Sequence, residues 1–462
     1  MQDYQSWGGY PKSNPKQVHT MSWRHESIAF EKWDTPVLPY AYGRSYGDSC
    51  QNDGGILLLT KGLQRFLAFD AKRGILRCEG GVSLSEILGC FISRGWFPPV
   101  TPGTKYVSVG GAIANDVHGK NHHRAGTFGC HVLQFELLRS TGDRLVCSPE
   151  QHSDLFQATI GGLGLTGIIL WADIQLKPIS NPFIHTEKIQ FSSLDEFFEL
   201  TEQSDHTAEY TVAWIDCLAH RRHLGRGIFI RGNHAGSENR PTHLPPTKRL
   251  FSIPCHAPAF FLNRYLLKVF NTVYFHHQPA RPAQEIEFYD EFFYPLDRVQ
   301  HWNRLYGTRG FLQYQCVIPT QYEREGIHEL LSIINESKQG SFLAVLKKFG
   351  NVRSPGLLSF PRSGTTLALD FPFLGEKTLS LLAKLDQIVR KTDGAVYPAK
   401  DARMSAQDFK TYFPKWKTFC RYTDPKFSSD FWKRIINTRE PDSSTLENPP
   451  CLHTHRLRET SG

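Results

Sequence analysis

Short aliphatic and β-branched runs, each closed by glycine or proline, set the texture of the first third of the chain. VLPYAYG, GILLLT, GILRCEGG and GIILWADIQL, all between residues 37 and 180, each read as a strand. SLSEILGCFISRGW between them has helical spacing. Ser83 stands at its start with Glu86 three residues on, which predicts a capping box. HSDLFQATI reads as a second helix. The texture changes near Pro178, where charge and aromatic residues rise, and SLDEFFELTEQ predicts an amphipathic helix. Residues 233–259 carry many Pro and His and read as a loop. AFFLNRYLLKVFNTVYFHH is apolar on every side, which predicts either a buried helix or an exposed flap meeting a lipid-like surface. GAVYPAKDAR reads as a strand and turn, and FPKWKTFCRYTDPKFSSDFWKRI as a closing helical segment. The polar stretch 437–462 reads as a frayed tail. The expected division is therefore 1–180, 181–394, a returning segment 395–436 and the tail.

Composition narrows the classes. At 462 residues, with 40% hydrophobic and 21% charged residues, the chain is globular and long enough for two or three cores. Aromatics reach 13%, including 32 Phe, more than a core alone needs. The formal charge of +8 suits a mildly basic protein drawn to phosphate, on a ligand or on a membrane surface. Zinc-finger spacing, a basic helix and an aromatic RNA-binding signature are all missing, so nucleic acid is not expected. Ten cysteines without a CxxC pair predict neither a disulfide framework nor a metal site, and fit a reducing compartment. The polar start MQDYQSWGGYPKSN lacks the apolar core of a signal peptide, and no run of eighteen apolar residues exists. The expected location is cytoplasmic or peripheral on the inner membrane.

Three glycine-rich motifs carry the chemistry. The first holds Gly43, Arg44, Ser45, Tyr46, Gly47 and Asp48 in a turn after a strand, where consecutive amides can form an anion nest. The second runs from Thr101, Pro102 and Gly103 through Ser108, Gly110, Gly111, Ala112, Asn115 and Asp116 to His118, Gly119, Lys120 and Asn121. Its small residues leave room for a pyrophosphate against main chain. The third, Gly162-x-Gly164-x-x-Gly167-Ile168, matches GxGxxG loosely. Its strand follows rather than precedes the glycines, which excludes a Rossmann site.

In order and separation the three motifs resemble the PCMH-type FAD domain of the vanillyl-alcohol oxidase and cresol methylhydroxylase superfamily. That likeness implies an α+β fold: two subdomains sandwiching FAD in residues 1–180, and an α+β substrate domain with an antiparallel sheet in 181–394. VTPGTKYVSVGGAIANDVHGKNHHRAGTFG, ATIGGLGLTGII, AWIDC, HLGRG, HWNRLYG…GFLQYQCVIP, SFLAVLKKFG and YPAKDAR are similar to the decaprenylphosphoryl-β-D-ribose 2-oxidase family over residues 35–435, least so over 236–290. This second resemblance implies oxidation of the ribose 2-hydroxyl of a polyprenyl-phosphate-linked sugar. A short-chain reductase partner then completes an epimerisation toward an arabinose donor for cell-envelope glycans.

The same resemblance makes Lys400 the first catalytic candidate, with Tyr46 and His118 beside it and Tyr397 on the cofactor side. Tyr46 stands where some relatives carry the histidine that anchors FAD covalently, so non-covalent FAD is expected. Lys120, Trp214, Gln313, Gln315 and Lys347 are substrate-binding candidates; Gln313 and Gln315 alternate on one strand and so share a face. Each has a plainer reading: Lys400 as a surface lysine paired with Asp401, Tyr46 as packing, His118 as a structural histidine, and the glutamines as a solvated sheet face. His122 and His123 read as structural. Ala368, Thr366 and Phe293 depart from the family's cysteine, asparagine and tyrosine, which leaves the exact sugar and lipid open. Two other functions compete: a soluble sugar or alditol oxidase using oxygen, and a flavin-binding scaffold without turnover.

Overall fold

The computed structural model describes residues 4–220, 223–237, 251–258, 262–278 and 282–436. The predicted tail 437–462, residues 238–250 and 259 of the predicted loop, and residues 259–261 of the all-round apolar segment lie outside them. The first unit pairs a three-stranded parallel sheet (Gln17–Thr20, Ile56–Leu59 and Val37–Tyr40, with Ile56–Leu59 central) with a five-stranded antiparallel one. The antiparallel order is Phe66–Asp70, Ile75–Glu79, Ile168–Gln175, Val132–Leu138 and Arg144–Cys147. ILLL reads as an unbroken apolar run because the strand it forms is covered on both sides. Register in the larger sheet is pinned where Arg77 lies opposite Asp173 and donates twice to its carboxylate, at 2.7 Å. Helix Leu84–Phe91 starts with the predicted capping box: the Glu86 amide donates to Ser83 Oγ at 3.2 Å, and the Ser83 amide to Glu86 Oε2 at 2.8 Å. Helix Ser153–Thr159 precedes the third glycine turn and strand Ile168–Gln175 follows it, as the rejection of a Rossmann site requires.

The second unit is built on an eight-stranded antiparallel sheet. Its order is Ala283–Phe288, Phe183–Phe191, Gly227–His234, Tyr210–Ile215, Ala344–Phe349, Gly364–Pro372, Phe311–Pro319 and Ala395–Val396. Helices Leu194–Ser204, Glu323–Ser337 and Glu376–Lys391 cover one face. Strand Phe311–Pro319 lies next to the short edge strand Ala395–Val396, and its alternation divides it. Leu312, Tyr314, Cys316 and Ile318 join the core under the helices, where Tyr314 Oη reaches Asp386 at 3.1 Å. Gln313 and Gln315 point to the opposite face, toward the first unit, and both are buried, so they are not a solvated face.

The chain leaves the first unit at Pro178, which pairs with Trp96, and returns just after the edge strand Ala395–Val396. The predicted closing segment is two short helices, Trp416–Cys420 and Asp430–Ile436, preceded by Ala406–Tyr412. It docks on the first unit: the Val37 amide donates to Lys426 O at 2.8 Å, and Arg434 grips Asp48 at 2.8 Å. The extreme N-terminal segment belongs to both units, with the Trp7 amide on Ser45 O and the Phe311 amide on Gly8 O, each at 2.8 Å.

The all-round apolar segment forms helix Arg264–His277, capped by Asn263. It is not a buried helix. Leu267, Asn271 and Phe275 face inward, whereas Tyr265, Leu266, Val269, Phe270 and Val273 are exposed, Tyr265 to 77%. Among the described residues, no helix is long and apolar enough to cross a membrane.

Candidate active site

The three glycine motifs, spread from Ser45 to Ile168 in sequence, meet in one cleft. Ser45 comes from the first; Ser108, Gly110, Gly111 and Asn115 from the second; Gly164, Gly167 and Ile168 from the third. Gly80, directly after strand Ile75–Glu79, completes the floor. Its GG pair was the only signal for it in the sequence. At Gly164 and Gly167 φ is +77° and +141°, and a Cβ on Gly167 would lie 2.5 Å from Leu138 O, so both need glycine.

The second motif contributes room rather than free donors. Gly110 N is spent on Gly80 O at 2.7 Å, and Gly111 N on Ser108 Oγ, the cap of helix Val109–Ala114, at 3.0 Å. In the first motif, by contrast, the amides of Gly43, Arg44 and Ser45 have no partner among the described residues. An unpaired donor inside a folded chain calls for a ligand or water. A narrow cleft floored by glycine, with Ser45 on its wall and three unspent amides in the turn that carries it, fits a dinucleotide such as FAD.

The remaining members of the motifs shape this cleft from behind. A Cβ on Gly47 would fall 1.6 Å from Asp401 O, so only glycine lets the two turns close. Asp48 faces away, paired with Arg434. Arg44 stacks on Trp7 at 4.2 Å, and its buried Nε is unpaired. Ala112 is buried beneath the helix. Asp116, at φ 42°, accepts from the Gly129 amide, Ser354 and Ser359, and so ties the second motif to loop 350–360. Thr101 Oγ1 meets Tyr294 Oη at 2.6 Å; Pro102 follows it, and Gly103 has open space around it. Gly119 packs on Thr101, and Asn121 donates to Pro99 O at 2.8 Å. Tyr397 Oη donates to Asn115 O at 2.7 Å. These side chains set loop positions, whatever part their backbones take in holding a cofactor.

Beyond the cleft lies a polar cluster, buried at His118 and Gln315 and half-buried at Lys400, Tyr46 and Lys347. Lys400 Nζ stands 3.6 Å over the Tyr46 ring, and the Tyr46 amide donates to Ala399 O at 3.0 Å. Asp401, the partner expected if Lys400 were a surface lysine, instead holds Arg434 and the amides of Arg403 and Met404. Burial pushes the Tyr46 phenol well above its ordinary range. His118 is faced at Nδ1 by Lys347 Nζ, 3.2 Å away, and at Nε2 by the Gln315 amide, 2.9 Å away. Burial, and then Lys347, hold this imidazole neutral. A lysine ammonium can only donate, so Nδ1 accepts, Nε2 carries the proton, and Gln315 must offer its oxygen there. Burial alone lowers Lys347 to about 8. Thr366 abuts Gln315 at 3.2 Å, and Ala368 lies opposite Gln315 in register, so two of the three departures sit inside this cluster.

Other expected members are placed at the margin. Lys120 reaches the Phe292 carbonyl and lies 4.2 Å over the Phe292 ring; burial lowers it to about 7. Phe293 packs in the core behind it. Trp214 spends its indole N–H on Phe342 O at 2.9 Å and faces Tyr274 of helix Arg264–His277. His122 is buried against Phe349, and His123 bonds Ala208 O. Sequence reading passed over Asp370, whose Oδ1 accepts from Gln313 at 2.6 Å. A lone acid in the apolar strand TTLALDFP was the available signal.

Comparison with known proteins agrees with this geometry. Residues 28–148 match the family described as FAD binding domain. The chain is 35% identical over 424 residues to decaprenylphosphoryl-beta-D-ribose oxidase of Mycolicibacterium smegmatis, covering 88% of this chain and 90% of that one. Shorter similarities reach cytokinin dehydrogenase 9 of Oryza sativa subsp. japonica (27% over 197 residues; 42% and 38% of the two chains) and human delta(24)-sterol reductase (31% over 116 residues; 25% and 22%).

Proposed function

The chain belongs to the decaprenylphosphoryl-β-D-ribose oxidase family of FAD-dependent oxidoreductases, and from that premise we propose that it oxidises the 2-hydroxyl of a polyprenylphosphoryl-β-D-ribose. The observation that carries this reading is the cluster of Lys400, Tyr46, His118, Gln315 and Lys347, in which His118 and Gln315 are buried and the other three half-buried. Bound FAD supplies hydride acceptance. The chain's own groups do the rest. The neutral His118, both of whose nitrogens are taken, fixes Gln315, whose amide N–H groups are left to meet a sugar hydroxyl. Lys347 and Lys120 offer cations for the phosphate linkage. Lys400 meets the reacting hydroxyl and receives or balances its proton. The ketone would pass to a short-chain reductase that returns hydride to the other face. Anaerobic titration with polyprenylphosphoryl ribose tests the reading: it should bleach the flavin spectrum, whereas free ribose should not. Bleaching by free sugars would favour a soluble oxidase, and no bleaching by either a scaffold.

FAD is held without a covalent bond, because Tyr46 occupies the position of the histidine anchor. Acid or heat denaturation should release all of the flavin. Fluorescence that stays with the denatured band on a gel would contradict this.

The exposed face of helix Arg264–His277 suits a membrane surface, with Tyr265, Val269 and Val273 on one line and Arg264 and Lys268 beside them. Anionic vesicles at low salt should sediment the protein. V269D/V273D should weaken binding about tenfold or more, since each lost apolar side chain is worth about 1.5 kcal/mol. Equal sedimentation of both forms would remove this helix from the contact.

A further inference from the structure

The N-terminal segment passes between the two units at Trp7 and Gly8. A Cβ on Gly8 would lie 2.5 Å from Tyr46 O and 2.7 Å from Phe311 O, so only glycine lets the segment run between the first motif and strand Phe311–Pro319. That close approach fixes Trp7. Its amide donates to Ser45 O at 2.8 Å, its carbonyl accepts from Asn303 Nδ2 at 3.3 Å, and its ring meets the Trp302 ring edge-on, 5.7 Å between centroids. The Arg44 guanidinium lies over the Trp7 ring at 4.2 Å, with the Tyr106 ring 5.8 Å away. The Arg44 side chain makes no hydrogen bond or ion pair among the described residues, and its Nε is buried. Asp297, the acid whose charge it feels most, is outside ion-pair distance and spends Oδ2 on the Lys105 amide at 2.9 Å. Stacking on a ring holds a guanidinium in place but does not replace the hydrogen bonds of its buried N–H. The amides of Gly43, Arg44 and Ser45 are unspent in the same turn. A planar cationic fork beside three free N–H groups calls for an anion with several oxygens.

We propose that Trp7 is a positioning residue that holds the Arg44 guanidinium, and the turn that carries it, as a binding site for a phosphate group of a bound ligand. The ring fixes the plane of the fork. The Trp7 amide occupies Ser45 O, so this carbonyl is not presented to an anion while the neighbouring amides stay free. The inference rests on the function proposed above for its two candidate ligands, the diphosphate of FAD and the phosphate linkage of the sugar substrate.

The test is binding without turnover. One arm titrates FAD into apoprotein and follows the quenching of flavin fluorescence. The other titrates farnesyl phosphate, which has no sugar to oxidise, into the FAD-loaded protein by calorimetry. Arg44→Gln should weaken at least one of the two by about 10- to 100-fold, the usual loss when a charge-assisted hydrogen bond is removed, and the arm that moves names the source of the phosphate. Trp7→Leu keeps both backbone contacts and removes the ring; it should weaken the same arm by about tenfold, and Trp7→Phe should recover part of that loss. Trp7→Leu combined with Arg44→Gln should bind as weakly as Arg44→Gln alone, because a residue that acts through Arg44 has nothing further to lose. A packing role for Trp7 would instead add its loss to that of Arg44→Gln, and this additivity overturns the inference. So does wild-type binding of both ligands by Arg44→Gln or by Trp7→Leu. Should Trp7→Leu not fold, Trp7→Met takes its place with the same expectations. Neither arm needs flavin reduction. Failure here while polyprenylphosphoryl ribose still bleaches the flavin counts against Trp7 and Arg44 alone, and the converse against the proposed reaction alone.

Discussion

Lys400→Ala should hold FAD at wild-type occupancy and lose turnover about 100- to 1,000-fold, the usual cost of removing one preorganised electrostatic group from an active site. Lys400 does not line the cleft where the glycine motifs meet. The floor and the unspent amides belong to residues 43–45, 80, 110–111 and 164–167, and none of them depends on the Lys400 side chain. What the side chain does hold is a cationic position over Tyr46, close to Asp370, His118 and Lys347. Its amine makes no hydrogen bond or ion pair with the rest of the chain among the described residues, only its contact with the Tyr46 ring, so its loss strands no buried charge. The fold is therefore kept while the proton acceptor is lost. Flavin absorbance measured beside the anaerobic reduction rate with polyprenylphosphoryl ribose separates the two effects. A variant that keeps FAD and is reduced at the wild-type rate would remove Lys400 from the chemistry.

Gly111→Leu should produce the opposite pattern, a folded and colourless protein. Gly111 lines the cleft, and a Cβ there would first meet Ser108 Oγ at 2.9 Å, the far end of a small side chain, rather than main chain. The backbone can tolerate the substitution, but the cleft cannot take the added carbons and a dinucleotide together. Overpacking of this kind costs about 1–3 kcal/mol, equivalent to roughly 10- to 100-fold in FAD affinity. The apparent melting temperature should then stop responding to added FAD, because ligand stabilisation follows mass action. Gly47→Ala is the contrasting control: its Cβ would collide with Asp401 O and Ala402 N, so it should unfold the junction itself. Full FAD occupancy in Gly111→Leu would mean that the cofactor lies elsewhere.

Local elements and the cofactor class were legible in the chain because each rests on interactions between near neighbours. Ser83 and Glu86 cap a helix from three residues apart, the four glycine-bounded runs are the four strands read from them, and the third glycine turn excludes a Rossmann site by its order alone. The grouping of Gln313 with Gln315 followed from a period of two. What the sequence could not supply was the partner of a polar group beyond its near neighbours along the chain. Asp48 and Asp116 stand among cleft residues in sequence, yet their carboxylates are held by Arg434 and by Ser354 and Ser359, more than 200 residues away. Gly110 and Gly111 look like free donors until Gly80 O and Ser108 Oγ are placed beside them. Helix Arg264–His277 is apolar all round in sequence, and only its neighbours decide that Leu267 and Phe275 are inside while Val269 and Val273 are not. Asp370 was silent for the same reason. A single acid in an apolar strand has no periodic signature, and only the sheet brings Gln313 to it. Sequence determines which groups are present and how their neighbours are shaped; tertiary structure decides which donors remain unspent and which charges share a dry space, because hydrogen bonds and desolvation depend on proximity in space rather than along the chain.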